Sequence, residues 1–231
     1  MDDIAAPPAA SGPDAAPPSG RQDRRDAILE AATELFLEAG FEAASIDRVV
    51  ACVGGSKSTV YAYFGNKAGL FAAVVERVLE ELGEATWAEG EGSLALETGL
   101  KAIGLRLLRL VSSERHIALS RLVIAESRRF PEIGRIYYER GPRVAYGRLA
   151  SFLAERAGRG EAVIEDPQAA ADWFAGKLLH RSFLERLCLD HSMPSQSEMR
   201  RIVDEAVDGV LRLYGTASAG EDDAKGGAAC G

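Results

Sequence analysis

Cysteine is scarce in this 231-residue chain: Cys52, Cys188 and Cys230 are odd in number and lack paired spacing. That argues against a disulfide scaffold and fits a reducing compartment. No apolar run reaches the roughly 18 residues a membrane helix needs; the best candidate, 94–111, is interrupted by lysine and arginine. The basic start and apolar core of a signal peptide are missing as well, so a cytoplasmic protein without membrane contact is expected. The formal net charge is −8, with −3 in residues 1–20, −2 in 216–231 and only −3 across the body. A broadly basic nucleic-acid coat is thereby excluded, while a local basic site is not. Alternation of apolar and polar residues, the mark of a half-buried strand, is absent too.

Helical periodicity takes its place nearly everywhere, predicting an all-α chain. Five of the nine prolines lie in the first 18 residues among Ala, Gly and Ser, so 1–20 reads as a disordered leader and 216–231 as a similar tail. Between them the spacing predicts helices over about 22–39, 46–52, 56–64 and from 66 onward. Longer helices follow at about 93–112, 114–128, 131–157, 167–190 and 195–214. Gly40 should stop the first helix, and Pro142 should kink or break the 131–157 segment. Asp166 before Pro167, and Ser195 with Glu198, have the spacing of helix caps.

Two of these helices are short and joined by a glycine-containing turn, which is the helix-turn-helix pattern. Ile46–Cys52 would support, Val53–Gly55 would turn, and Ser56–Phe64 would read DNA. Lys57, Ser58, Thr59, Tyr61 and Tyr63 suit a surface presented to a duplex, since short polar side chains reach base edges and Lys or Tyr reach phosphates. Val60 and Phe64, four residues apart, share an inward face. The competing reading is a plain packing cluster of Tyr61, Tyr63 and Phe64. Residues 43–75 carry Arg48, Lys57 and Lys67 against Asp47 alone, so few phosphate contacts and a shallow salt dependence are expected.

The wording of the segment decides between them. Ile28-Leu29-Glu30-Ala31-Ala32-Thr33-Glu34-Leu35-Phe36, Gly40-Phe41, Ser45, and Ser56-Lys57-Ser58-Thr59-Val60-Tyr61-Ala62-Tyr63-Phe64-Gly65-Asn66-Lys67 with Leu70-Phe71 resemble the TetR family of transcriptional regulators. The resemblance is dense over about 24–78. It implies a three-helix DNA-binding domain, 21–66, followed by a helical ligand-binding and dimerisation domain, 67–215. It also implies that Lys57, Ser58, Thr59, Tyr61 and Tyr63 face the major groove, with Ser45 and Lys67 on phosphates and Ser56 among the DNA-binding residues. The turn departs from the family's Ala-Gly-Val: Val53-Gly54-Gly55 leaves a glycine where a core side chain is expected. The lost burial is worth about 1.5–3 kcal/mol unless Val53 fills the space.

In the remainder, the segment from Ile124 through Ile133 and Tyr137 to Pro142 is similar to the C-terminal domains of the AefR-like branch. Aromatic residues placed to line an effector pocket are Trp87, Phe130, Tyr137, Tyr138, Trp173 and Phe174, with plain core as the alternative. Apolar residues crowd more than one face of the last two helices. Phe174, Leu178, Leu184, Cys188, Ile202, Ala206, Val210 and Tyr214 are therefore expected at a two-fold dimer interface, the alternative being a larger monomeric bundle. Residues 101–150 hold 11 bases and 4 acids, which suits either an anionic ligand or solvated helix faces.

Catalytic patterns are weak. Gly54-Gly55-Ser56-Lys57-Ser58 lacks both the glycine before the lysine and the preceding strand of a phosphate loop. No nucleophile elbow occurs, and His180, Cys188 and His191 make a poor metal set. Neither enzyme activity nor a cofactor is expected. The expected protein is a ligand-responsive regulator, most simply a repressor, that binds double-stranded DNA at an inverted repeat as a homodimer. Its rival is a helical dimeric binding protein whose altered turn has lost operator recognition.

Overall fold

The computed structural model describes residues 20–86, 93–189 and 192–215. Among these it holds ten α-helices: α1 Arg21–Ala43, α2 Ile46–Val53, α3 Lys57–Phe64, α4 Lys67–Thr86, α5 Leu96–Ser112, α6 Glu114–Glu126, α7 Pro131–Arg140, α8 Pro142–Gly158, α9 Pro167–Leu189 and α10 Gln196–Tyr214. The one β-type contact among them is an isolated bridge between Ala162 and Gly215.

Local chemistry sets most boundaries. The Ser45 hydroxyl accepts the Arg48 amide at 3.2 Å and opens α2. Asp166 accepts the Gln168 and Ala169 amides at 3.0 Å each and opens α9, and Ser195 with Glu198 forms a reciprocal capping box on α10. Gly40 leaves helical geometry at φ 78°, so the regular part of α1 stops there and one further turn carries Phe41 inward. Pro142 produces a break rather than a kink. It lacks the N–H that would continue the ladder, so α7 ends at Arg140 and α8 starts with the proline as its first residue.

Two apolar cores result. The N-terminal one joins Ile28, Phe36 and Phe41 of α1, Val49 of α2, Val60 of α3 and the Leu70–Leu79 face of α4 with Leu119, Leu122 and Val123 of α6. The second joins α5, α8, α9 and α10 around Leu100, Leu107, Phe152, Phe174, Leu178, Val203 and Val207. Four of the eight residues expected at a dimer interface lie inside the chain's own core instead. Phe174, Leu178, Ala206 and Val210 are at most 1% exposed within a single chain, because α5 and α8 supply the apolar faces that cover them. Leu184 and Cys188 are exposed, and Ile202 and Tyr214 are half-buried. Each apolar face on these helices thus has its own place: one inside the bundle, a second left open.

Candidate DNA-reading face and effector cavity

Helix α3 is held from beneath by Val60, which is buried, and by Phe64, which is half-buried under the Arg25 guanidinium at 5.4 Å. That fixes which side faces out: Lys57, Ser58, Tyr61 and Ala62 are exposed. Ser56 caps the helix. Its hydroxyl accepts the Thr59 amide at 3.3 Å and contacts the Ser58 and Thr59 hydroxyls at 2.6 and 3.1 Å, so the three form one local polar cluster. Lys57 forms an ion pair with Asp47 of α2 at 2.8 Å, and that carboxylate raises the ammonium pKa above its ordinary value.

Three of the expected DNA contacts are engaged elsewhere. The Tyr63 hydroxyl donates to the Arg21 carbonyl at 3.0 Å, with the Arg21 guanidinium 5.8 Å from the ring. The Lys67 ammonium donates to the Glu42 carbonyl at 3.1 Å and lies 4.6 Å from the Phe41 ring centre, and burial lowers its pKa. Ser45 serves as the α2 cap. Tyr61 is exposed, and the Ser56, Ser58 and Thr59 hydroxyls at the start of α3 bond only among themselves and to the cap.

The glycine pair in the turn has a structural answer that the sequence pattern did not suggest. Gly54 and Gly55 take φ of 73° and 94°, a region costly for side-chain-bearing residues. Arg24, one turn into α1, donates to the Gly54 carbonyl at 2.9 Å, and its guanidinium occupies the place a Gly55 Cβ would need. Val53 packs half-buried against the N-terminal core. The missing apolar side chain is thus replaced partly by Val53 and partly by a charge-assisted hydrogen bond from α1.

A cavity of about 510 Å³ lies farther along, between α4, α5, α8 and α9. The helix break at Gly141-Pro142 forms part of its wall, beside Leu79 and Leu82 of α4, Leu107 and Val111 of α5, and Leu179 and Phe183 of α9. Its exposed polar lining includes Arg140, Arg148 and His180, and Arg140 is paired with Glu76 and Glu80 at 3.1 and 3.3 Å. Its less exposed polar lining is the buried His116 with the half-buried Tyr137 and Tyr146. The Tyr137 hydroxyl lies 2.9 Å from the Ser120 hydroxyl and 3.4 Å from His116 Nε2, and burial raises the phenol pKa. Burial also lowers the His116 pKa to about 4, leaving a neutral imidazole at pH 7.

Of the six aromatic residues expected at a pocket, Tyr137 lines this one. Phe130 instead packs on Phe41 at 4.8 Å, Phe174 is interior to the second core, Tyr138 is exposed, and Trp173 lies against Gly209 of α10. Trp87 falls outside the described residues. Tyr146, Phe183 and His116 also line the cavity, beyond the six expected from the sequence. Helix periodicity marks all three as inward-facing but cannot say that the space they face is unfilled. His191 of the suspected trio also lies outside the described residues, among which no group of His, Cys, Asp and Glu is arranged to hold a metal ion. No helix of the described residues is long and apolar enough to cross a membrane.

Comparison with known proteins agrees with this arrangement. Residues 28–74 match the bacterial regulatory proteins of the tetR family, and residues 98–216 match the AefR-like transcriptional repressor C-terminal domain. The HTH-type transcriptional repressor ComR of Escherichia coli is 45% identical over 56 residues, which is 24% of this chain and 27% of ComR. The chain therefore aligns with only about a quarter of the length of such curated relatives. Whole-chain likeness comes from solved structures. A TetR-family transcriptional regulator from Mesorhizobium loti superposes with a TM-score of 0.79 at 29% identity, covering 85% of this chain and 98% of that one. The flavonoid-responsive regulator FrrA does so at 0.74 and 28%, covering 85% and 100%.

Proposed function

The chain belongs to the TetR family of bacterial transcriptional regulators, and on that premise we propose that it is a cytoplasmic repressor that binds an inverted-repeat operator as a homodimer and leaves it when a small molecule fills the cavity. The observation that carries the reading is a shared helix. The inner face of α4 belongs to the core that supports α3, while Leu79, Glu80, Leu82 and Gly83 at its other end line the cavity. A ligand there acts directly on the element that carries the reading head, provided it binds one arrangement of α4 better than the other. The flavonoid response in FrrA's name supports a small-molecule effector in this architecture.

In this reading Ser56, Ser58, Thr59 and Tyr61 meet the major groove, and Lys57 exchanges Asp47 for a phosphate. Ser45, Tyr63 and Lys67 set the geometry, and they reach DNA only through limited rearrangement of their present bonds. The open side of α9 around Leu184 and Cys188, with the partly covered Ile202 and Tyr214 of α10, is the surface offered to a second copy. Two-fold pairing there would place two α3 helices about one DNA turn apart.

The test is selection of bound sequences from a random duplex pool by the purified chain at two salt concentrations. An enriched inverted repeat is expected, and Lys57→Ala should lower affinity for it and reduce the salt slope by about 1. Tyr61→Ala should abolish the enrichment with the dimer intact. Salt-sensitive binding without enrichment would instead favour a helical binding protein that no longer reads an operator.

A further inference from the structure

We propose that Arg21 and Arg25, at the start of α1, grip the DNA backbone beside the groove that α3 enters; the grip rests on the DNA-reading assignment above. The first turns of α1 segregate charge. At 3.6 residues per turn, Arg21, Arg24 and Arg25 fall within one arc of about 100°, with Asp23 and Asp26 on the opposite side. The acids are used locally: Asp23 accepts the Gly20 amide at 3.2 Å, and Asp26 accepts the Gln22 side-chain amide at 3.1 Å. Cations at this end of a helix oppose its dipole, so the three arginines do not serve the helix that carries them.

The arginine side is turned toward the reading helix. Arg24 donates to the Gly54 carbonyl at 2.9 Å, in the turn before α3. The Arg21 and Arg25 guanidinium groups lie 5.8 and 5.4 Å from the ring centres of Tyr63 and Phe64, in the last turn of α3, and the Tyr63 hydroxyl donates to the Arg21 carbonyl. The cationic arc is thereby fixed both to the turn before α3 and to its far end. Arg24 is spent on the turn and positions the other two. Arg21 is exposed, and Arg25 is partly exposed with the Asp26 carboxylate at 3.8 Å, a long and easily displaced pair. A guanidinium resting on a ring keeps its N–H fork for an oxyanion. Location selects which one. An α-helix fills the major groove, so an element beside it meets the phosphate row at the groove's edge. Salt dependence is then steeper than Arg48, Lys57 and Lys67 alone would give.

The test titrates the full chain with two duplexes, the selected repeat and one of mixed sequence, over a series of salt concentrations. Arg21→Gln and Arg25→Gln keep a polar side chain and remove the charge. Each should reduce the slope of log affinity against log salt by about 1 for each bound protomer on both duplexes, whereas Arg21→Lys and Arg25→Lys should keep it. Arg200→Gln, at an exposed arginine of α10, should leave the slope unchanged. Selection with the double Gln variant should return the same repeat at lower affinity, because phosphate contacts carry no base information. An unchanged slope in the Gln variants, an equal fall in the Lys or Arg200 variants, or a changed repeat would overturn the grip. Slopes that depend on both arginines without any enriched repeat would overturn the operator reading and leave the grip standing. Failure to bind either duplex would overturn both.

Discussion

At the scale of single residues, ionisable groups occupy two contrasting environments. Lys57 and Asp47 meet at the surface, where their 2.8 Å pair is screened by water and salt. If Lys57 holds a phosphate as proposed, DNA has to displace that carboxylate first. Asp47→Asn should therefore raise duplex affinity by up to about five-fold, with most of the gain at low salt, as read by fluorescence anisotropy at two ionic strengths. His116 is the opposite case. Its folded pKa of about 4 lies below the ordinary 6.5, so between those values the unfolded chain binds more protons. Stability should fall as the pH drops through this window and level off below it, by about 3 kcal/mol in total. Urea titrations at pH 7, 5.5 and 4.5 check this, since His116→Asn should remove that part of the pH slope and leave the carboxylate part.

At the scale of elements, the turn between α2 and α3 shows how a sequence departure is absorbed. Two consecutive glycines with positive φ let the chain reverse without a core side chain, and Arg24 fills the space beside them. Gly55→Ala should cost about 1–3 kcal/mol, because the methyl group meets both an unfavourable backbone region and the Arg24 guanidinium. Arg24→Ala should cost less, about 1 kcal/mol for one charge-assisted hydrogen bond at a half-exposed site, yet weaken operator binding by loosening α3. Thermal melts paired with DNA titrations separate the two effects. The helix-turn-helix was legible because caps, glycines and the Val60–Phe64 face are short-range features. The Arg24 brace was not, since it joins positions 30 residues apart and no local pattern signals it.

At the scale of the molecule, ion pairs tie α1 and α6 to α4, the helix shared by the N-terminal core and the cavity. Arg115 of α6 reaches Glu34 of α1 at 3.1 Å and Glu81 of α4 at 2.9 Å, and Arg77 of α4 reaches Glu30 at 2.8 Å and Glu81 at 2.9 Å. Glu81 thus accepts two guanidinium groups at the junction of α1, α4 and α6, near the stretch of α4 that lines the cavity. Singly these exposed or half-exposed pairs contribute little to stability, but their shared carboxylate makes their geometry interdependent. Arg115→Ala should leave operator affinity within about three-fold and lower the effector-induced change in that affinity by about two- to ten-fold. Operator titrations with and without a bound effector measure both quantities.

The helical class, the helix starts at capped and proline positions, an interruption at Pro142 and the place of the short α2–α3 pair were all legible in the amino-acid order. All of these follow from periodicity, caps and backbone sterics acting within a few residues. Tertiary structure alone decided the rest. Apolar periodicity reports that Phe174, Leu178, Ala206 and Val210 are buried, but only the packing of α5 and α8 against α9 and α10 shows that their own chain buries them. Likewise an inward-facing His116 looks the same in sequence whether a protein atom or a cavity meets it. That choice depends on how completely distant helices fill the space between them, and here the break at Gly141-Pro142 helps leave it open.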